Sequence, residues 1–195
     1  MKKIRSASLI ILCAALFFGC KKEDQDSSIS LKTRKGKLCE RWVMVAGNLG
    51  FEVRQPNTVP NGQSIQFDGS NGVVHNTYNT AYFNMKYSLS IEFDKKGRFT
   101  VAENLDGDQF NATGRWDFGH GVGDRKKKQD IYIQLESVTT GDSQEHFFNH
   151  FSPEVSYDIE KISADVLRMH AFTNYYMIGT GEKGIIESTF TFHRN

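Results

Sequence analysis

Phe83-Asn84-Met85-Lys86-Tyr87-Ser88-Leu89-Ser90-Ile91-Glu92-Phe93 decides the fold. Apolar and polar residues alternate strictly along it, the period at which successive side chains of an extended chain point to opposite faces. The stretch reads as a half-buried strand, with Phe83, Met85, Tyr87, Leu89, Ile91 and Phe93 inward and Lys86 outward. Asp94-Lys95-Lys96-Gly97 supplies a turn whose glycine can take a positive φ, and Phe99 and Val101 resume the pattern against the polar partners Thr100 and Asn104. Together they make a hairpin.

Outward from this hairpin the same period returns at Phe110, Ala112, Gly114, Trp116 and Phe118, then at Ile131, Ile133 and Leu135 with Tyr132 on the polar side. It recurs at Val155, Tyr157 and Ile159, at Leu167, Met169 and Ala171 beyond a turn near Ser163-Ala164-Asp165, and from Ile186 to Phe192. Leu38 to Val45 brings the expected number to eight strands. Residues 141–152 offer the best short helix or lid, because no longer stretch shows a 3.6-residue apolar period. Consecutive strands joined by short turns pair as neighbours, and closing such a meander removes its two exposed edges. The expected fold is all-β, an eight-stranded antiparallel up-and-down meander closed into a barrel. Residues 47–80, punctuated by Pro56, Pro60, Asn61-Gly62, Asp68-Gly69 and Asn71-Gly72, read as a long, function-bearing insertion. Within it, the polar and aromatic run from Val73 to Tyr82, with His75 and Tyr78, suits either a wet loop or the gripping of a polar ligand.

The amino terminus carries its own message. Lys2, Lys3 and Arg5 precede the apolar run Ala7 to Phe18, then Gly19-Cys20. A charged head, a short apolar core and a small residue before the break are the marks of an export signal. The stretch resembles the signals of bacterial lipoproteins, in which the cysteine is acylated and becomes the first residue. That resemblance implies a signal peptide over 1–19, a lipidated (palmitate-type) Cys20 and a tether over 20–34, with the domain at 35–195. Lys21 after the cysteine points to the outer rather than the inner membrane. Removing residues 1–19 leaves 176 of the 195 residues and takes the formal charge from +1 to −2, because Lys2, Lys3 and Arg5 leave with them. That balance asks for no nucleic acid, and Arg125-Lys126-Lys127-Lys128 reads as a solvated hairpin tip. Cys13 leaves with the signal and Cys20 is acylated, so Cys39 remains alone, a small core residue with no disulfide partner.

Leu38-Cys39-Glu40-Arg41-Trp42 is similar to the opening of lipocalin-like domains of bacterial lipoproteins, although Glu40 stands where that family has glycine. Thr113-Gly114-Arg115-Trp116-Asp117-Phe118 resembles the family's mid-barrel strand, and Ser188 to Arg194 its ending. The resemblance implies a calyx that can hold a small apolar or amphipathic molecule, with Trp42 and Arg194 structural at the barrel's closure.

Chemical motifs are sparse. His146 and His150 lie four apart, as metal ligands on one helical turn do, with His170 or Glu154 as conceivable third ligands. The plainer reading packs Phe147, Phe148 and Phe151 on the barrel and leaves the histidines in water, so no metal or other cofactor is expected. Asp106-Gly107-Asp108 reads as a hairpin turn rather than a calcium loop. No nucleophile elbow or phosphate loop is present, and Asp117, Glu136 and Glu187 fall on outward positions, so the chain reads as non-enzymatic. The expectation is a lipid-anchored envelope binding protein whose barrel is lined by Phe83, Met85, Tyr87, Leu89, Phe99, Trp116 and Tyr157. The alternative is a filled scaffold whose loops 47–80 and 139–152 bind a glycan or a protein.

Overall fold

The computed structural model describes residues 33–54, 61–76, 81–119, 129–140, 146–176 and 183–195. The expected signal peptide, Cys20, the tether up to residue 32, Tyr78 and the basic run Arg125–Lys128 lie outside the described residues.

Among the described residues, ten antiparallel strands close into one barrel. A five-residue helix, α1 (Arg34–Leu38), precedes them and is capped by Thr33, whose Oγ1 accepts from Gly36 N at 3.2 Å. The strands are β1 (Arg41–Arg54), β2 (Asn61–Phe67), β3 (Asn71–Asn76), β4 (Ala81–Phe93), β5 (Arg98–Leu105), β6 (Asp108–Phe118), β7 (Asp130–Thr140), β8 (Glu154–Ile162), β9 (Val166–Tyr176) and β10 (Lys183–Arg194). The alternation read from Phe83 to Phe93 is β4, and its hairpin with β5 pairs Phe93 with Phe99 across a turn in which Gly97 has φ 83°. Asp94 Oδ1 holds that turn by accepting from Lys96 N and Arg98 N, both at 2.8 Å.

The expected eight strands are corrected to ten, and the difference has a location. Arg41–Val43 of β1 pair directly with Ser90–Glu92 of β4, whereas from Gly47 onward β1 pairs with β2 instead. The β2–β3 hairpin is thus wedged between β1 and β4 at one end only. One end of the barrel, the floor, is a ring of eight strands; at the other end, the mouth, β2 and β3 are added to the wall, while the ladders of β8 with β7 and β9 stop short, at Gln134 and His170. Barrel diameter grows with strand number, and eight strands already enclose about as much as side chains can fill. The mouth therefore flares.

Two further expectations change. Residues 47–80 are not a loop insertion, because β1 runs on to Arg54 and β2 and β3 occupy much of the remainder. In the 141–152 segment no helix forms among the described residues, since 146–152 is a run of turns with His150 and Phe151 at φ 54° and 57°. Leu38, taken as the start of the first strand, ends α1.

The floor is closed by Trp42, which is fully buried and whose indole Nε1 donates to Leu38 O at 2.9 Å. Trp42 lies opposite Arg194 in the β1–β10 ladder, and Arg194 Nη2 sits 2.7 Å from Glu40 Oε1. Higher up, Gly114 permits a close approach: a Cβ there would lie 2.0 Å from Gln134 O and 2.7 Å from the Phe99 ring, at a shift of register between β6 and β7. No described helix is long and apolar enough to cross a membrane.

Candidate functional site

The flared mouth is filled by the chain itself. Residues 146–152 fold inward between β7 and β8 and carry Phe148 into the interior, where it is fully buried and stacks on Tyr157 with ring centres 5.1 Å apart. Phe147 and Phe151 sit above it, their rings 5.5 Å apart, with Phe51 5.7 Å from Phe151. The wedged hairpin contributes Phe67, whose ring lies 4.4 Å from Tyr87 and 6.2 Å from Phe190.

A non-regular segment inside a barrel brings backbone polar groups with it, and these need partners once water is excluded. Glu103 meets that need. Its Oε1 accepts from Phe148 N and from Tyr87 Oη, both at 2.8 Å, and its Oε2 lies 2.9 Å from His146 Nδ1. Glu103 and His146 are both buried. On the other side Tyr157 Oη donates to Phe148 O. His150 reaches Thr173 Oγ1 through Nδ1 at 2.8 Å and Ser188 Oγ through Nε2 at 2.6 Å. A neutral imidazole has one donor and one acceptor nitrogen, and two hydroxyls satisfy both. His146 Nε2 and Asn149 Oδ1 are buried without a hydrogen-bond partner among the described residues.

This environment sets the acid–base behaviour. Burial, with the nearby His170 adding to it, pushes His150 down to about 4. Burial also drives Tyr87 well above the ordinary phenol range, reinforced by the Glu103 carboxylate, and raises Tyr157, so both remain hydrogen-bond donors. Because the folded value for His150 lies below the unfolded value of about 6.5, the unfolded chain takes up its proton first as the pH falls. The stabilisation from keeping His150 neutral is complete above about pH 6.5, declines toward pH 4 and amounts to about 3 kcal/mol. Thermal melts across that range should show the decline in the wild type and a shallower one in His150→Gln. Parallel curves would contradict it.

The seven expected lining residues divide. Met85, Tyr87, Leu89, Phe99, Trp116 and Tyr157 are all buried. Phe83 is corrected: it is 57% exposed, because although it shares the inward phase of β4, it lies near that strand's mouth end, beyond the packed layers. The histidines are corrected too, since neither faces water. His170 pairs with Glu187 Oε1 at 2.8 Å and Glu154 accepts from Gln134 Nε2 at 2.9 Å, and among the described residues no three potential metal ligands converge. Asp106-Gly107 forms the expected turn, with φ 52° and 105°. Glu136 faces outward with Arg115 Nε 2.5 Å away. Cys39 is partly buried against the core, and burial raises its thiol, which disfavours the thiolate. The residues missed by the sequence reading are Glu103, Thr173 and Ser188. Each shares the phase of inward neighbours, and that was the available signal: Glu103 follows Phe99 and Val101, Thr173 follows Met169 and Ala171, and Ser188 stands between Ile186 and Phe190.

No protein-family model matches the chain, and no curated protein matches it.

Proposed function

We propose that this is a non-enzymatic binding protein of the bacterial cell envelope, anchored through acylated Cys20, with a lipocalin-like barrel that is filled and binds at its mouth. The outer membrane is the proposed location, on the strength of Lys21. The observation that carries the reading is the seal over the interior. Six of the seven expected lining residues are buried beneath Phe148, which is held by hydrogen bonds at both its N–H and its carbonyl. What remains outside is an aromatic rim of Phe51, Phe83, Phe147, Phe151 and Tyr175 at the flared end, where ring faces suit a glycan or an apolar protein surface.

The reading expected first from the sequence, a small apolar or amphipathic ligand within the barrel, has one observation in its favour. The plug holds two consecutive non-glycine residues at positive φ and two buried polar atoms without partners among the described residues, each of which costs free energy. A ligand able to displace the plug would relieve those costs.

Native mass spectrometry of protein purified from membranes separates the two. The filled-barrel reading expects the acylated chain alone and no saturable uptake of a fluorescent apolar probe. A stoichiometric bound lipid, or saturable uptake by the wild type, would replace it with the carrier reading. Cys20→Ser should yield a folded protein released from salt-washed membranes, since the acyl chains supply the anchoring.

A further inference from the structure

The floor carries a cleft that the reading above does not use. It lies on the outer wall beside α1 and the β4–β5 turn, encloses about 350 Å³, and is lined chiefly by Lys35, Lys96, Arg115, Trp116, Asp117 and Tyr132. Lys35 Nζ sits over the Trp116 indole, 5.4 Å from the ring centre, which fixes one cation at the cleft wall. Neither Lys35 nor Lys96 has an ion-pair partner among the described residues. Arg115 engages Glu136 through Nε, and a guanidinium has further N–H donors beyond that one. The single carboxylate in the cleft, Asp117, already accepts from Phe118 N at 2.8 Å. Two ammonium groups without an ion-pair partner among the described residues, and a guanidinium already paired with Glu136, therefore line the cleft beside Asp117.

Position gives the cleft its occupant. The chain enters the barrel at Thr33, two residues before Lys35, and twelve residues separate Thr33 from Cys20. Fully extended, that stretch reaches about 45 Å, and it joins the barrel at the floor, so the floor is the end to which an acylated Cys20 would be tethered. The mouth, with its aromatic rim, is at the opposite end of strands that run the barrel's length.

We infer that the Lys35–Lys96–Arg115 cleft seats the phosphate of an anionic lipid headgroup and so holds the barrel floor-down on the membrane, with the mouth turned away. The inference rests on the lipoprotein reading for the membrane's presence, but its chemistry belongs to the folded floor. Headgroup phosphate oxygens would meet the two ammonium groups and the guanidinium, while the exposed Tyr132 provides an aromatic side chain of the kind common at lipid–water interfaces.

The test uses the full mature chain bearing Cys20→Ser, which has no acyl chains to dominate binding, with vesicles of phosphatidylcholine alone or mixed with phosphatidylglycerol. Sedimentation should show association only with the phosphatidylglycerol vesicles, weakening at high salt. Lys35→Ala with Lys96→Ala should lower partitioning about twenty-fivefold, roughly fivefold for each cation. Lys35→Arg with Lys96→Arg should retain it, and Lys86→Ala, at an exposed site far from the floor, should leave it unchanged. Equal association with neutral vesicles, unchanged partitioning of the double alanine variant, or an equal loss with Lys86→Ala would overturn the proposal. The lipoprotein reading is judged separately by the mass of the wild-type N-terminal peptide, which carries acyl chains on Cys20 or does not.

Discussion

Trp42→Ala should lower the free energy of unfolding by about 3–5 kcal/mol, a large part of the usual margin of about 5–15. The indole is fully buried in the ring where only eight strands close the barrel, and β1 there bonds to β10 on one side and to β4 on the other. Its removal leaves a cavity at the narrowest level and takes from Leu38 O the donor that ties α1 to the floor. Lys86→Ala provides the contrast. It lies next to Tyr87 in β4 but points to solvent, so the change should stay within about 0.5 kcal/mol, whereas Tyr87→Phe, which leaves Glu103 one donor short, should cost about 1–3 kcal/mol. Denaturant melts of the three variants test the register of the whole sheet, because a slip of one residue would exchange the faces. A costly Lys86→Ala beside a neutral Tyr87→Phe would sink it.

Much of this architecture was legible because one physical rule, alternation, governs most of the chain. From Ala81 to Arg194 the strands with clean alternation were located by it, and the turns at Asp94–Gly97 and Ser163–Asp165 followed from residues that favour them. The missed strands are those in which the rule had little to act on. In β2, Asn-Gly-Gln-Ser-Ile-Gln-Phe, only Ile65 and Phe67 are apolar, and β3 presents only Val73 and Val74, so their asparagines and glycines looked like turn formers. Those strands are held by pairing with β1 and β4, a tertiary effect that no local pattern records. At the floor β1 pairs directly with β4, so β2 and β3 take no part in the ladder there.

The plug was harder to read for a different reason. His146-Phe147-Phe148-Asn149-His150-Phe151 shows neither period, because its residues are placed one by one by partners distant in sequence. His146 meets Glu103, 43 residues away, and His150 meets Ser188, 38 residues away. A polar residue in an inward phase was the one visible sign of such an arrangement. Glu103 after Phe99 and Val101 breaks the apolar set on a strand whose inward face is otherwise buried, and a buried carboxylate demands donors that the barrel wall alone does not supply.

That demand makes Glu103 the residue on which the seal depends. Glu103→Ala strands three donors at once, Tyr87 Oη, Phe148 N and His146 Nδ1, and should cost about 3–5 kcal/mol. Glu103→Gln keeps the shape and an oxygen for Tyr87 and Phe148, while its amide nitrogen faces His146 and requires the imidazole to present a lone pair at Nδ1. Its cost should be nearer 1 kcal/mol. Hydrogen exchange at the Phe148 amide gives a local reading of the same bond, and it should accelerate far more in the alanine variant than in the glutamine one. The comparison also bears on what the barrel is for. With the plug unfastened, the mouth loses its filling, so Glu103→Ala should take up an apolar probe that the wild type refuses. Should Glu103→Ala cost less than about 1 kcal/mol and leave Phe148 protected, the hydrophobic contacts of Phe148 with Tyr157 and Phe190 would be the true fastening, and Glu103 a passenger beneath it.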